Sequence, residues 1–129
     1  MAYDIDAEET PGRQICDLIL TRVKGFSDSS EYEALDSEDR LVAGLVCAAL
    51  AGLLQRFELQ VMDKQLTDPE AQTLSDIYQV VEELSASTDP TVQNYVVTEI
   101  FENLSDESAE QAVVRRLGPR SKELYDRWM

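Results

Sequence analysis

The stretch LVAGLVCAALAGLL, Leu41 to Leu54, carries no charge and no side chain more polar than a thiol. A membrane-spanning helix needs about 18 to 20 such residues, and Arg40 and Arg56 close this run early. A soluble helix that is apolar on all sides belongs among other helices. The pattern predicts a long central helix over about 38–62, capped by Asp36 or Ser37, with Glu38 and Asp39 in its first turn. Gly44, Ala48 and Gly52 recur every fourth residue, flanked by Ala43, Cys47 and Ala51. Such a face lets a neighbouring helix approach closely. The large residues Leu45, Leu50, Leu53, Leu54 and Phe57 are expected in the core.

Working outward toward the N-terminus, residues 1–9 are acidic and read as a frayed tail. Thr10-Pro11 starts a helix, with Pro11 where its missing N–H costs nothing. Ile15, Leu18, Ile19 and Val23 form its apolar stripe. Gly25 is its stop, and Phe26 folds back on the core. Residues 27–39 are rich in acids and serines and form a polar connection, with one helical turn around Tyr32 and Leu35.

Toward the C-terminus, Thr67-Asp68-Pro69-Glu70 combines a capping residue, a proline in the first turn and a glutamate placed to reach back. The helix it opens carries Leu74, Ile77, Tyr78, Val81 and Leu84 on one face. Asp89-Pro90 repeats the start signal, and Val92, Val96, Val97, Ile100, Phe101 and Leu104 form the next stripe. Ser105 is the expected cap of a further helix, with Ala109, Ala112, Val113 and Leu117 inward. Arg115 and Arg116 suit the negative end of its dipole. Gly118-Pro119 ends it and opens a short last helix with Leu124, Tyr125 and Trp128. No segment alternates with period two. The expected fold is all-α: a single domain, residues 1–129, of five or six helices around the buried one.

The chain has 26 acids against 11 bases, a formal net charge of -15. That field repels nucleic-acid phosphate and anionic membrane surfaces and attracts basic proteins. Its distribution is uneven. No Lys or Arg occurs from Gln65 to Val114, while residues 115–127 are basic. The helices near 69–86 and 90–104 are therefore expected to present an uncompensated negative face. The candidate partner-binding residues on it are Glu70, Asp76, Glu82, Glu83, Glu99 and Glu102. Cys16 and Cys47 sit among apolar residues and read as buried reduced thiols. The acidic N-terminus does not resemble a signal peptide, so the cytoplasm is the expected compartment.

There is no histidine, which excludes Ser-His-Asp and Cys-His catalysis, His-bearing zinc sites and the Glu-x-x-His di-iron pattern. No Gly-rich phosphate loop appears, and the acidic stretch 27–39 lacks the glycine and spacing of a calcium loop. No cofactor or metal is expected. Glu99 and Glu102, at i and i+3, share a helix face; such pairs do serve acid–base catalysis, but a solvated surface is the commoner reason for them.

The run VVTEIFENL followed by an acidic turn and VVRRLGPRSKELY carries a resemblance. Phe101, Glu102, Asn103 and Leu104, then Leu117, Gly118, Pro119, Ser121 and Leu124, resemble the C-terminal part of small all-helical bacterial immunity-type proteins encoded beside polymorphic toxins. The resemblance implies a bundle without catalysis that binds and neutralises a partner. The expected function is thus a non-enzymatic inhibitor or immunity protein for a basic partner such as a toxin or nuclease-like domain, with no direct nucleic acid and no membrane. A carboxylate-bearing nucleic-acid mimic from a phage or mobile element is the alternative. Self-association through the small-residue face is a further possibility.

Overall fold

In the computed structural model, which describes residues 11–129, everything is arranged about a 20-residue helix, Ala43–Met62. Seven α-helices occur among the described residues: α1 Pro11–Arg22, α2 Ser30–Glu33, α3 Ala43–Met62, α4 Asp68–Ser85, α5 Pro90–Tyr95, α6 Glu107–Arg116 and α7 Pro119–Trp128. No strand is present among them, and the protein is an all-α bundle. The expected tail at 1–9 and the Thr10 cap lie outside the described residues.

Helix α3 is long and apolar enough, by length and composition alone, to cross a membrane. Here its apolar side chains pack against α1, α2, α4 and α6. Val46, Cys47, Leu50, Ala51, Leu53, Leu54 and Phe57 are buried. Two expectations about it are corrected. It begins at Ala43, not near 38. Asp36 does cap, but its carboxylate takes the N–H groups of Glu38 and Asp39, at 3.0 and 2.9 Å, and so closes a separate 3₁₀ turn, Asp39–Leu41. Val42 then turns extended, with φ -100° and ψ 110°. Leu41 is left 72% exposed and Val42 47%. Leu45, expected inside, is 40% exposed, because no helix among the described residues covers that side of the first turn.

The small-residue face is occupied within the molecule. A Cβ on Gly44 would lie 3.3 Å from the Glu99 carboxyl carbon, one on Gly52 3.4 Å from Glu31 Cγ, and one on Gly12 3.4 Å from Ala43 Cβ. Long acidic side chains, together with the start of α1, fill the space that the glycines leave. Cys16 and Cys47 are free and buried. Desolvation lifts the thiol pKa of both, that of Cys47 to about 12.

Local capping chemistry sets most helix starts. Thr67 and Glu70 form the expected capping box. Asp89 caps α5. Asp106, rather than Ser105, caps α6 through the Ala109 N–H; the Ser105 N–H goes to Gln55 on α3 at 2.8 Å. Gly25, at φ 84°, reverses the chain after α1 and places Phe26 in the core. The stripe expected at 90–104 is helical but irregular: α5 runs into a π-helical turn, Val96–Ile100, and a 3₁₀ turn, Phe101–Asn103. A π turn inserts an extra residue and resets the facing of the residues beyond it. Phe101 thereby returns to the core, edge-on to Tyr125 at 5.3 Å between ring centres.

Candidate functional site

Four of the six expected partner-binding carboxylates are engaged inside the fold. Glu70 accepts the Thr67 N–H at 3.0 Å and Gln60 Nε2 at 3.2 Å. The Thr67 N–H foremost holds its pKa below the ordinary glutamate value. Asp76 is buried and accepts the Lys24 N–H at 3.2 Å and Gln72 Nε2 at 3.0 Å. Glu82 accepts the N–H groups of Arg120 and Ser121, at 2.8 and 2.9 Å, and the Ser121 hydroxyl at 2.8 Å. Burial works against the Glu82 anion, but these three donors prevail and its pKa is lowered. Glu83 pairs with Arg22 at 3.0 Å.

The face expected on 69–86 keeps its charge but not open carboxylates: Glu70, Asp76 and Glu82 accept backbone N–H groups and Glu83 pairs with Arg22. The missing Lys and Arg are replaced by backbone N–H groups, which satisfy carboxylates as charge-assisted donors. Counting cations along the chain cannot register them. Arg115 and Arg116 do sit in the last turn of α6, as expected. Lys122 bonds Asp126 and Arg127 bonds Glu123 within α7.

Glu99 and Glu102 fare otherwise. Glu99 is half-buried with its carboxylate over Gly44, and Glu102 is exposed. Among the described residues, neither carboxylate has a hydrogen bond or ion pair. The same holds for Asp28, Glu33, Glu38 and Asp39, four acids of the connection between α1 and α3. Asp28, Glu33 and Glu70 line a groove of about 440 Å³ with Arg56. Arg56 is already held by Glu31 at 2.8 Å, so the groove remains net negative. Glu38 and Asp39 precede the exposed Leu41 and Val42, and Glu99 approaches the same place from across Gly44.

The most deeply placed acid is not among the six candidates. Glu58, on α3, is 1% exposed. It accepts Arg116 Nε at 3.1 Å and a short hydrogen bond from the Tyr78 hydroxyl. Desolvation, then the bond to Glu58, raises the phenol pKa, so Tyr78 stays a proton donor. A signal was available: Glu58 is in helical phase with Leu50 and Leu54, on the buried stripe. The cluster joins α3, α4 and the end of α6 at the base of a groove of about 780 Å³, bounded by Val61, Leu66, Leu74 and Gly118. Its chemistry is that of a brace, two donors on one carboxylate. No group of His, Cys, Asp and Glu among the described residues is arranged to hold a metal ion.

A family model described as "Domain of unknown function (DUF7674)" matches residues 16–129. No curated protein and no solved structure matches the chain.

Proposed function

Because the chain belongs to the DUF7674 family, whose description assigns no activity, we propose a function from geometry and charge: a non-enzymatic, cytoplasmic binding protein that docks on a basic partner and neutralises it. The partner fitting this best is a toxin or nuclease-like domain with a basic groove, and occlusion of that groove suffices for inhibition. One observation carries the reading. Among the described residues, the carboxylates of Asp28, Glu33, Glu38, Asp39, Glu99 and Glu102 have no hydrogen-bond or ion-pair partner, while those of Glu70, Asp76 and Glu82 engage backbone N–H groups. Two roles then separate. The net charge of -15 steers the approach, capped acids included, because a field does not depend on who holds the hydrogen bond. Close contact falls to the unpartnered set. The free, buried thiols accord with a reducing compartment.

Affinity capture from the native lysate at low salt, with identification of the co-eluting protein, tests this. A basic domain should be recovered, with an association rate that falls steeply as salt rises past the physiological range, where screening acts over about 8 Å. A partner whose association is indifferent to salt overturns the mechanism. Competition by duplex or single-stranded nucleic acid would instead identify a nucleic-acid mimic.

A further inference from the structure

Several irregularities meet at residues 38–45. Leu41, Val42 and Leu45 are large apolar residues exposed together, at 72%, 47% and 40%. Apolar patches left open on a small protein mark interaction sites. Val42 also holds the N-cap position of α3 without any side-chain hydrogen bond. By contrast Ser29, Thr67, Asp89 and Asp106 cap α2, α4, α5 and α6, and Glu82 serves α7 from a distance. Valine is among the poorest N-caps, and the longest helix is the one given it. Next to it, Arg40 Nε is the buried side-chain polar atom, among the described residues, that lacks a hydrogen-bond partner. Its guanidinium lies over the Tyr32 ring at 4.7 Å. Departures from local rules concentrate where function requires them.

We propose that Leu41, Val42 and Leu45, flanked by Glu38, Asp39 and Glu99, are the seat for the apolar face of a basic amphipathic segment of the partner protein. This deepens the reading above and rests on it. Apolar residues at helical spacing would cover the three side chains. Lysine or arginine alongside them would meet the three carboxylates, which have no partner among the described residues. A second copy of this chain fits poorly, since pairing the patch with itself brings the same carboxylates together. Interfaces of this kind have a desolvated apolar centre and a charged rim.

The test is titration of the isotope-labelled full chain with a short synthetic peptide of leucine and lysine at helical spacing, followed by amide NMR. Shift changes should centre on 38–46 and around Glu99. Leu41→Ser and Leu45→Ser, at exposed positions, should keep the spectrum of the folded chain and weaken binding about tenfold each. A peptide of the same composition without helical spacing should bind more weakly. Shifts confined to the Asp28 and Glu33 groove would overturn the seat and leave the acidic-binder reading standing. No binding anywhere would remove both. Dimerisation abolished by Leu41→Ser would assign the patch to a second copy. Peptide binding that appears only after deletion of residues 2–10 would assign it to the chain's own first residues. Either result overturns the proposal.

Discussion

Glu82 on α4 caps a helix to which it does not belong, and Gly118 is what lets it in. The N-cap of α7 is Gly118, which has no side chain to offer. The Glu82 carboxylate fills that place, on the N–H groups of Arg120 and Ser121. A Cβ at Gly118 would lie 2.6 Å from Glu82 Oε1, well inside contact distance. Gly118→Ala should therefore act by displacing the cap, at a cost of about 1–2 kcal/mol. Glu82→Ala should cost a similar amount. Because both remove one interaction, the double variant should cost little more than either. Urea unfolding of the four proteins checks this; full additivity would refute the link.

The brace at Glu58 should be asymmetric. Glu58 is 1% exposed and Arg116 49%. Arg116→Met strands a buried carboxylate and should destabilise by about 3 kcal/mol. Glu58→Met leaves an arginine that can turn to water, and should cost clearly less. Tyr78→Phe removes one hydrogen bond to a charged group, about 1.5–3 kcal/mol. Equal losses for Arg116→Met and Glu58→Met would show that the burial difference is not decisive.

Acid should weaken the fold. Glu31, Glu70 and Glu82 all have lowered pKa values: Glu31 chiefly through its bond from Arg56, Glu70 through the Thr67 N–H, and Glu82 through α7 donors that outweigh burial. A depressed carboxylate stabilises the folded state above its unfolded pKa, about 4.3, and that contribution fades as pH falls through the folded value. Relief of self-repulsion works the other way as the acids protonate. Thermal unfolding should show little change from neutral pH down to about 5 and a falling midpoint below about 4. Glu31→Gln should flatten that fall. A midpoint at pH 3 equal to that at pH 7 would contradict it.

The thiols should be inert. Burial drives the pKa of both upward, with Cys47 reaching about 12, so thiolate is scarce at neutral pH. A thiol reagent such as Ellman's should label neither in the folded protein and both once it is unfolded. Rapid labelling of Cys16 or Cys47 under native conditions would mean that α1 and α3 separate readily.

A proper cap at α3 should stabilise the protein and impair binding together. Val42→Ser supplies the missing hydroxyl acceptor and should add about 0.5–1 kcal/mol. It also removes an apolar side chain from the proposed seat. Tighter folding with weaker peptide binding would mark a residue kept for contact at the expense of stability. Unchanged binding would place Val42 outside the interface.

How much of this was legible in the sequence depends on range. The capping box at Thr67 and Glu70, the reversal at Gly25 and the start at Pro119 could be read directly, because each is a bond or dihedral within a few residues. Glu58 was half-legible: its helical phase marked it as inward, but nothing local named Tyr78 and Arg116 as its donors. The six acidic candidates illustrate the limit most clearly. Asp76 and Glu102 look alike in a sequence, yet one accepts the N–H of Lys24, just past α1, and the other faces water.

The sequence by itself determined the helices and their all-α class, since periodicity of apolar side chains and N-cap chemistry act over one or two turns. Only the tertiary structure decided which side of α3 is covered, which acids meet a backbone N–H, and why Leu50 is core while Leu45 is surface. The reason is physical: burial and hydrogen-bond partnership belong to pairs of surfaces, and those pairs exist only once the helices have docked.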